Sequence, residues 1–364
     1  MFNIELEKSP IMKLLIAYGS KGKLFHMKEF ADALVHIGIE CKLVYDMDYS
    51  RGFPSKNIGD WFNGNKNFKK LVTEFKPDAI FVDRQTYFGV AAIKSKIPLF
   101  VLLRGHYWSE IVYAKKTLYK GPISKLVIWF RNRVAERCFR DATAILPICS
   151  YLIDVVREYH PNVPTHVFFE GIGSSHWHDS TPMNLKHPCV GLLQDSNWWG
   201  KTKEMLILKD VLREMPNVMF YWAGDGPYRE KILEELKGYE NFEWLGRLQY
   251  PDKVREYLAG IDVYALITGM DLAPLTLKEA QLMEKPVIAT DVGGVAEMMS
   301  DKVTGYLVRE GDSTDLTERL SLLLEDKKLA TKMGKEGRIF VENIFNWERI
   351  AKNFVEIAKS YIKK

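Results

Sequence analysis

TGMDLAPLTLKEAQLMEKPVIATDVGG, Thr268 to Gly294, holds two acids, Asp271 and Glu279, with a mostly apolar stretch and one proline between them. It then runs through a short β-rich segment, PVIAT, into a Gly-Gly turn. The preceding run, IDVYALIT, reads as a strand that delivers Asp271 to a loop at its carboxyl end. Pro274 fixes φ and needs no partner for an amide hydrogen, so it suits a first helical turn. Leu275, Leu277, Ala280 and Leu282 continue that helix. In open parallel sheets, ligands bind beyond the carboxyl ends of the strands. The amide end of a helix beside Asp271 would offer unpaired N–H groups and a partial positive charge to a diphosphate. Glu279, two turns on, is placed to accept hydrogen bonds from a ribose diol. The plain alternative is that Asp271 caps the helix and Glu279 lies on its surface; spacing alone leaves both readings open.

Working outward, the back half alternates strand and helix: HPCVGLLQD, KEMLILKDVLREMP, NVMFYWAGDGP, YREKILEELKG, FEWLGRL, DKVREYLAG, IDVYALIT, the opening stretch and GYLVREGD. The front half does the same, with strands in MKLLIAYGS, IECKLVYD, DAIFVD, IPLFVLLRG and ATAILPICS and a helix in KEFADALVHIG. Strand and helix in series predict doubly wound parallel sheets, two of them in tandem. The join is expected between Phe168 and Pro188, a stretch rich in Gly, Ser, His and Pro. The amphipathic final helix, WERIAKNFVEIAKSYIKK, is long enough to return across it.

The 364 residues suit two domains. No apolar run reaches the eighteen or so residues of a membrane span. MFNIELEKSP lacks the basic and apolar segments of an export signal. MKLLIAYGS opens on a strand, so Met12 is a candidate second start and residues 1–11 a loose extension. Cys41, Cys138, Cys149 and Cys189 fit neither a zinc site nor a disulfide frame and read as reduced thiols of a cytoplasmic protein. Up to Glu170 there are twenty-five bases and seventeen acids, and beyond it twenty-six and thirty. A basic front and an acidic back suggest domains with different partners.

The opening stretch, and KPVIATDVGGVAEMM above all, resembles the signature of GT-B-fold retaining glycosyltransferases, in particular family 4 (group 1). AGDGPYREKILEEL, FEWLGRL, TGYLVREGD, FEGIG before the second domain and the terminal FNWERIAKNF are similar to family landmarks in the same order. The resemblance implies two Rossmann-like domains facing across a cleft: residues 1–170 with a returning helix at 345–364 on the acceptor side, and residues 171–344 binding a nucleotide-sugar. It implies transfer of a sugar, a hexose by expectation, to a hydroxyl on a lipid-linked, glycan or small acceptor. No metal or other cofactor is expected.

By the same resemblance, Glu279 holds the ribose, and Asp271 takes the place of the acid that contacts the transferred sugar, with Leu272, Ala273 and Leu275 beside it. The family's Gly-Arg pair appears as Gly191-Leu192, without the arginine. Lys201 is the match to the diphosphate lysine, with Lys203 second. Gly224 lies in the Gly-Asp-Gly turn, and Arg247 lies near the expected base. His106 in RGHYW is expected near the reactive carbon, and Gly19 and Gly22 form the first glycine-rich loop. His106, Asp271 and Lys201 are thus the candidate catalytic residues.

Lys115 to Arg140 holds eight bases and one acid. Leu126, Trp129, Phe130 and Val134 form an apolar stripe there, among Lys125, Arg131, Arg133 and Arg137. That pattern suits an interfacial helix on an anionic membrane, which would place the protein peripherally on the inner face of the cell membrane. A domain helix with its aromatics on the sheet is the alternative, and no nucleic-acid motif accompanies the bases. His176 and His178 of HWH read as linker rather than as a metal site. Two other functions are weighed: a noncatalytic GT-B partner subunit that binds nucleotide or glycan without turnover, and a nicotinamide-dependent oxidoreductase. YGSKGK does not fit the G-x-G-x-x-G loop that the latter needs.

Overall fold

The computed structural model describes residues 12–53, 55, 59 and 64–362. Residues 1–11, read above as an extension, lie outside them, as do 363 and 364, which the sequence reading included in the stretch 345–364. The chain divides into two units, one running up to Gly171 and resuming at Trp347, the other spanning Ile172–Asn346.

In the first unit, β1 (Lys13–Tyr18), β2 (Glu40–Tyr45), β3 (Ala79–Val82), β4 (Leu99–Leu103) and β5 (Ala144–Pro147) form one sheet in the order β2-β1-β3-β4-β5. Every pairing in it is parallel. β3, β4 and β5 are buried at each residue. Such short all-apolar runs are what a parallel sheet covered on both faces requires. The helix Trp347–Tyr361 belongs to this unit. Its buried stripe, Ile350, Ala351, Phe354, Val355 and Ala358, follows helical spacing. Phe354 meets Phe30, Phe81, Phe100 and Phe168 at ring separations of 5.6, 5.5, 5.3 and 6.2 Å. Trp347 lies against Gly171 so closely that a β-carbon there would stand 2.4 Å from the indole.

In the second unit, β6 (Cys189–Leu193), β7 (Met219–Ala223), β8 (Phe242–Gly246), β9 (Val263–Leu266), β10 (Val287–Thr290) and β11 (Gly305–Val308) lie in the order β11-β10-β9-β6-β7-β8. These pairings are also parallel. The core gathers Val190, Leu192, Phe220, Trp222, Val263, Ala265 and Ile288 from the strands with Leu208, Leu212, Leu316 and Leu320 from the helices. KEMLILKDVLREMP, expected as one helix, divides into a 3-10 turn, Lys203–Ile207, and a helix, Leu208–Glu214. Within the turn, Glu204 is buried and its carboxylate accepts the Gly311 N–H at 2.6 Å.

Strand order fixes where each sheet reverses direction. The chain leaves β1 toward β2 and then returns past it to β3; it leaves β6 toward β7 and β8 and then returns past it to β9. These reversals open crevices at the carboxyl ends of β1 and β3, and of β6 and β9.

Candidate functional site

β6 and β9 pair only at Val190 with Val263 and at Gly191 with Tyr264. Beyond that the strands part, and the buried Gln194 side chain fills the gap. Its Nε2 donates to the Ile267 carbonyl at 2.7 Å, and its Oε1 accepts the Ile267 N–H at 3.1 Å. At the mouth of this crevice the Lys201 ammonium forms a part-buried ion pair with the Asp271 carboxylate. Lys201 belongs to a short helical turn after β6, Trp199–Thr202, and Asp271 to the loop after β9. The two backbones are locked together as well. The Gly269 N–H donates to the Lys201 carbonyl at 3.0 Å, and a β-carbon on Gly269 would stand 2.5 Å from the Gly200 carbonyl oxygen.

The Gly-Gly turn holds the acid from the other side. Gly293 has φ 58°, in the left-handed region, and a β-carbon on it would lie 2.2 Å from the Asp271 carbonyl oxygen. The same oxygen accepts the Gly294 N–H at 3.0 Å. Only glycine fits both the backbone angle and the approach. Asp271 itself accepts the Leu272 N–H at 2.9 Å.

The helix spans Leu275–Leu282; Pro274 stands just before it at φ −62° rather than inside its first turn, and no side chain caps it. Asp271 is therefore not a helix cap; its charge is directed to Lys201. Nor is Glu279 a surface acid. It is 3% exposed, on a helix buried at every position from Leu277 to Leu282. Burial pushes its carboxyl up to about 7, against the opposing influence of a hydrogen bond from Tyr250 and of the neighbouring Lys278 ammonium. Lys278, fully buried, lies over the Phe345 ring at 4.6 Å.

The remaining candidates in this unit are spread more widely. Leu272, Ala273 and Leu275 line the loop and first turn, each half-buried. Gly224 has φ 152°, and a β-carbon there would stand 2.0 Å from the Gln194 carbonyl oxygen, so it shapes the crevice floor. Gly191 lies inside β6, where Ile261 and the Tyr257 hydroxyl occupy the space of a side chain, and Leu192 is buried beside it. Arg247 is exposed and pairs with Asp195 at 3.1 Å. Lys203 points to Glu310 at 4.0 Å.

In the first unit, Gly19 follows β1 and its N–H reaches the Asp83 carboxylate at 3.4 Å, whereas a β-carbon on Gly22 would meet the Ser20 hydroxyl oxygen at 3.9 Å, an ordinary contact. His106 caps the helix Tyr107–Thr117, accepting the Ser109 N–H at 3.3 Å. Sequence reading missed a buried ion cluster here. Arg104, after β4, binds Asp83 at 2.5 Å and also pairs with Glu170; both acids are almost wholly buried. The signal was present in DAIFVD and IPLFVLLRG, neighbouring apolar strands that end in opposite charges.

The helix Pro122–Arg140 buries Ile128, Ala135, Cys138 and Phe139. Its other face leaves Leu126 and Trp129 about half exposed and Ile123 at 79%, with Arg133 over the Trp129 ring at 4.9 Å. Trp129 thus does not face the sheet. Lys125 and Arg131 are exposed, Arg131 donating to the Tyr119 hydroxyl at 3.1 Å, and Arg137 sits 3.6 Å from Asp141. No helix among the described residues is long and apolar enough to cross a membrane.

His176 and His178 engage Arg255, the former through its carbonyl. A different group, His187, Cys189 and Asp262, brings potential metal-ligand atoms within 4.8 Å of one another. It lies at the amino ends of β6 and β9, away from the crevice. His187 already binds Asp262 at 2.8 Å, and burial pushes the Cys189 thiol up to about 12. All four cysteines are free thiols.

Residues 197–326 match the family model described as glycosyl transferases group 1. The chain is 31% identical, over 70% of its length and 67% of the relative's, to a GDP-mannose-dependent monoacylated α-(1-6)-phosphatidylinositol monomannoside mannosyltransferase of Corynebacterium glutamicum. It is 30% identical to the sulfoquinovosyl transferase of Arabidopsis thaliana over 76% of this chain, a match that spans 55% of that protein, about half its length. Among solved structures, Anabaena HepE in complex with UDP and glucose superposes with a TM-score of 0.67 over 96% of this chain and all of that one, at 18% identity.

Proposed function

The chain belongs to the group 1 glycosyltransferases and carries their GT-B fold, and from that premise we propose that it transfers a hexose from a nucleoside-diphosphate sugar to a hydroxyl acceptor, with retention at the anomeric carbon. The observation that supports this most is the Lys201–Asp271 pair at the β6–β9 crevice, beside an uncapped helix start and above a buried glutamate. The diphosphate rests against the amide end of the helix at Leu275, where unpaired N–H groups and the helix dipole favour an anion. Lys201 balances the charge that grows on the leaving group, and no metal is called for in that role. Glu279 accepts hydrogen bonds from the ribose, and Asp271 from a hydroxyl of the sugar. The bond from the anomeric carbon to the diphosphate oxygen breaks as the acceptor oxygen bonds on the same face. The acceptor proton passes to the departing phosphate, so positioning does more than acid–base chemistry.

The acceptor is lipid-linked on this reading, and the enzyme works at an anionic membrane surface. The exposed apolar and basic residues of Val112–Arg133 support that placement: no acid occurs between Glu110 and Glu136.

A thermal-shift screen against UDP-, GDP- and ADP-sugars, followed by donor hydrolysis assays on each hit, tests the proposal. One donor class should raise the melting temperature and turn over, and Glu279→Ala should abolish the shift. A strong shift that survives this change contradicts the ribose assignment. Binding without turnover of any donor contradicts the enzymatic one.

A further inference from the structure

We propose that His187, Cys189 and Asp262 form a binding site for one thiophilic divalent cation, zinc by its ligand chemistry, at the amino ends of β6 and β9. The site lies at the end of the second sheet opposite the β6–β9 crevice, and it does not depend on the glycosyl-transfer reading. Cysteine spacing could not show it, because its ligands come from two strand starts seventy-three residues apart.

The frame of the site is fixed by hydrogen bonds to backbone. The Asp262 N–H donates to the Cys189 carbonyl at 3.3 Å, and the Asp262 carboxylate accepts the Cys189 N–H at 2.8 Å. The Lys186 N–H donates to the Tyr221 hydroxyl at 2.9 Å, and the Met219 N–H to the Pro188 carbonyl at 2.9 Å, so the chain is pinned on both sides of His187. An imidazole nitrogen, a thiol sulfur and a carboxylate oxygen then stand within 4.8 Å of one another.

These residue types serve either a proton relay or a cation. A Cys–His–Asp relay needs the thiol on one ring nitrogen and the carboxylate on the other. Here the Cys189 sulfur, at 3.6 Å, and Asp262 Oδ2, at 2.8 Å, both meet Nδ1 of His187. One nitrogen cannot relay a proton between them, whereas three converging atoms can share a cation. Tetrahedral bonds of about 2.3 Å to sulfur and about 2.1 Å to nitrogen and oxygen separate sulfur from nitrogen by about 3.5 Å, and nitrogen from oxygen by about 3.4 Å. The first separation is already present, and the second needs imidazole and carboxylate to part by about half an ångström. The His187 and Asp262 side chains are 52% and 41% exposed, so they have room to part and a water can take the fourth position. Cys189 is buried beneath them.

On binding, the thiol releases its proton to solvent and the ring proton passes from Nδ1 to Nε2, which leaves thiolate, neutral imidazole and carboxylate as ligands. The two negative charges balance the ion. The Lys285 ammonium, turned onto the Ala259 and Ile261 carbonyls at 2.9 Å each, favours the thiolate. A thiolate beside an imidazole selects zinc over magnesium or calcium.

The test uses the whole chain, stripped with a chelator that is then removed, kept reduced by a phosphine, and titrated with cobalt(II) and zinc(II) chloride. Cobalt should give a thiolate-to-metal charge-transfer band and the intense visible bands of a four-coordinate ion, saturating at a single equivalent, and zinc should displace it. Cys189→Ala should lose the charge-transfer band. His187→Ala and Asp262→Asn should each weaken cobalt binding more than tenfold. Both changes fall on exposed side chains, and the asparagine keeps an acceptor for the Cys189 N–H; unchanged circular-dichroism melts without metal show that these two fold. His176→Ala/His178→Ala should bind as the parent does. Zinc should raise the melting temperature of the parent and leave that of His187→Ala unchanged. Absence of a saturable charge-transfer band overturns the proposal. So does a band that survives in Cys189→Ala, or at undiminished affinity in His187→Ala, since the metal would then sit on another thiol. Displacement of cobalt by an equal concentration of magnesium overturns it as well, because the ligands would then be carboxylates alone.

Discussion

Lys201 and Asp271, seventy residues apart in sequence, form an ion pair across the mouth of the crevice between β6 and β9. The pair exists because β9 returns beside β6 rather than beside β8, and because Gly269 and Gly293 let three backbone segments converge on one loop. If both charges serve one reaction step, their removal is not additive. Asp271→Asn and Lys201→Gln should each lower kcat/KM for the donor about a hundredfold, and the double variant should be little worse than either. Steady-state kinetics on the four proteins of the cycle measure this; multiplicative losses would mean that the two groups act independently.

Gly293 and Gly311 separate backbone strain from steric clash. Both have positive φ, 58° and 77°, but Gly311 has nothing within 4 Å of a built β-carbon, whereas Gly293 meets the Asp271 carbonyl. Gly311→Ala should cost about 1 kcal/mol and Gly293→Ala about 3 kcal/mol or more. Urea denaturation gives both values, and equal costs would mean that the loop yields to the added carbon.

The architecture was legible because parallel strands covered on both faces read as short unbroken apolar runs, as AIFV and LFVLL do. The acids of the opening stretch were legible because a strand followed by a loop and a helix places Asp271 at a carboxyl end. Periodicity does not specify strand order, so the partner of Asp271 could not be read. Nor could the burial of Glu279, since a helix covered on all sides carries no amphipathic stripe. The pattern of Pro122–Arg140 fits either orientation of its aromatics, and only the packed helix shows Ile128 and Phe139 inside with Trp129 outside.

Glu279 gives stability a pH dependence of defined sign. Its carboxyl is raised in the folded chain from the usual 4.5 to about 7. Below 4.5 both folded and unfolded forms hold the proton. Between 4.5 and 7 the unfolded chain releases it first, so stability falls as pH rises through that window, by about 3 kcal/mol, and levels off above it. Glu279→Gln should remove this contribution. Denaturation midpoints of the two proteins between pH 4.5 and 8 measure it; parallel curves would mean that the carboxyl titrates normally.

The exposed face of Pro122–Arg140 predicts salt-sensitive adsorption to anionic vesicles. Lys125→Gln/Arg133→Gln should weaken sedimentation with phosphatidylglycerol vesicles more than tenfold, and Leu126→Ala/Trp129→Ala should weaken it at every salt concentration. The parent should ignore phosphatidylcholine vesicles. Equal sedimentation with both lipids, or with neither, would remove the membrane from the account.

The central claim is that a sugar nucleotide lodges at the β6–β9 crevice with its diphosphate at the start of the helix Leu275–Leu282. Hydrogen–deuterium exchange of the whole chain, with and without a donor that raises its melting temperature, tests this most directly. Slower exchange over residues 195–202 and 268–280 is the predicted result. Protection confined to residues 19–25, with those two segments unchanged, would contradict it.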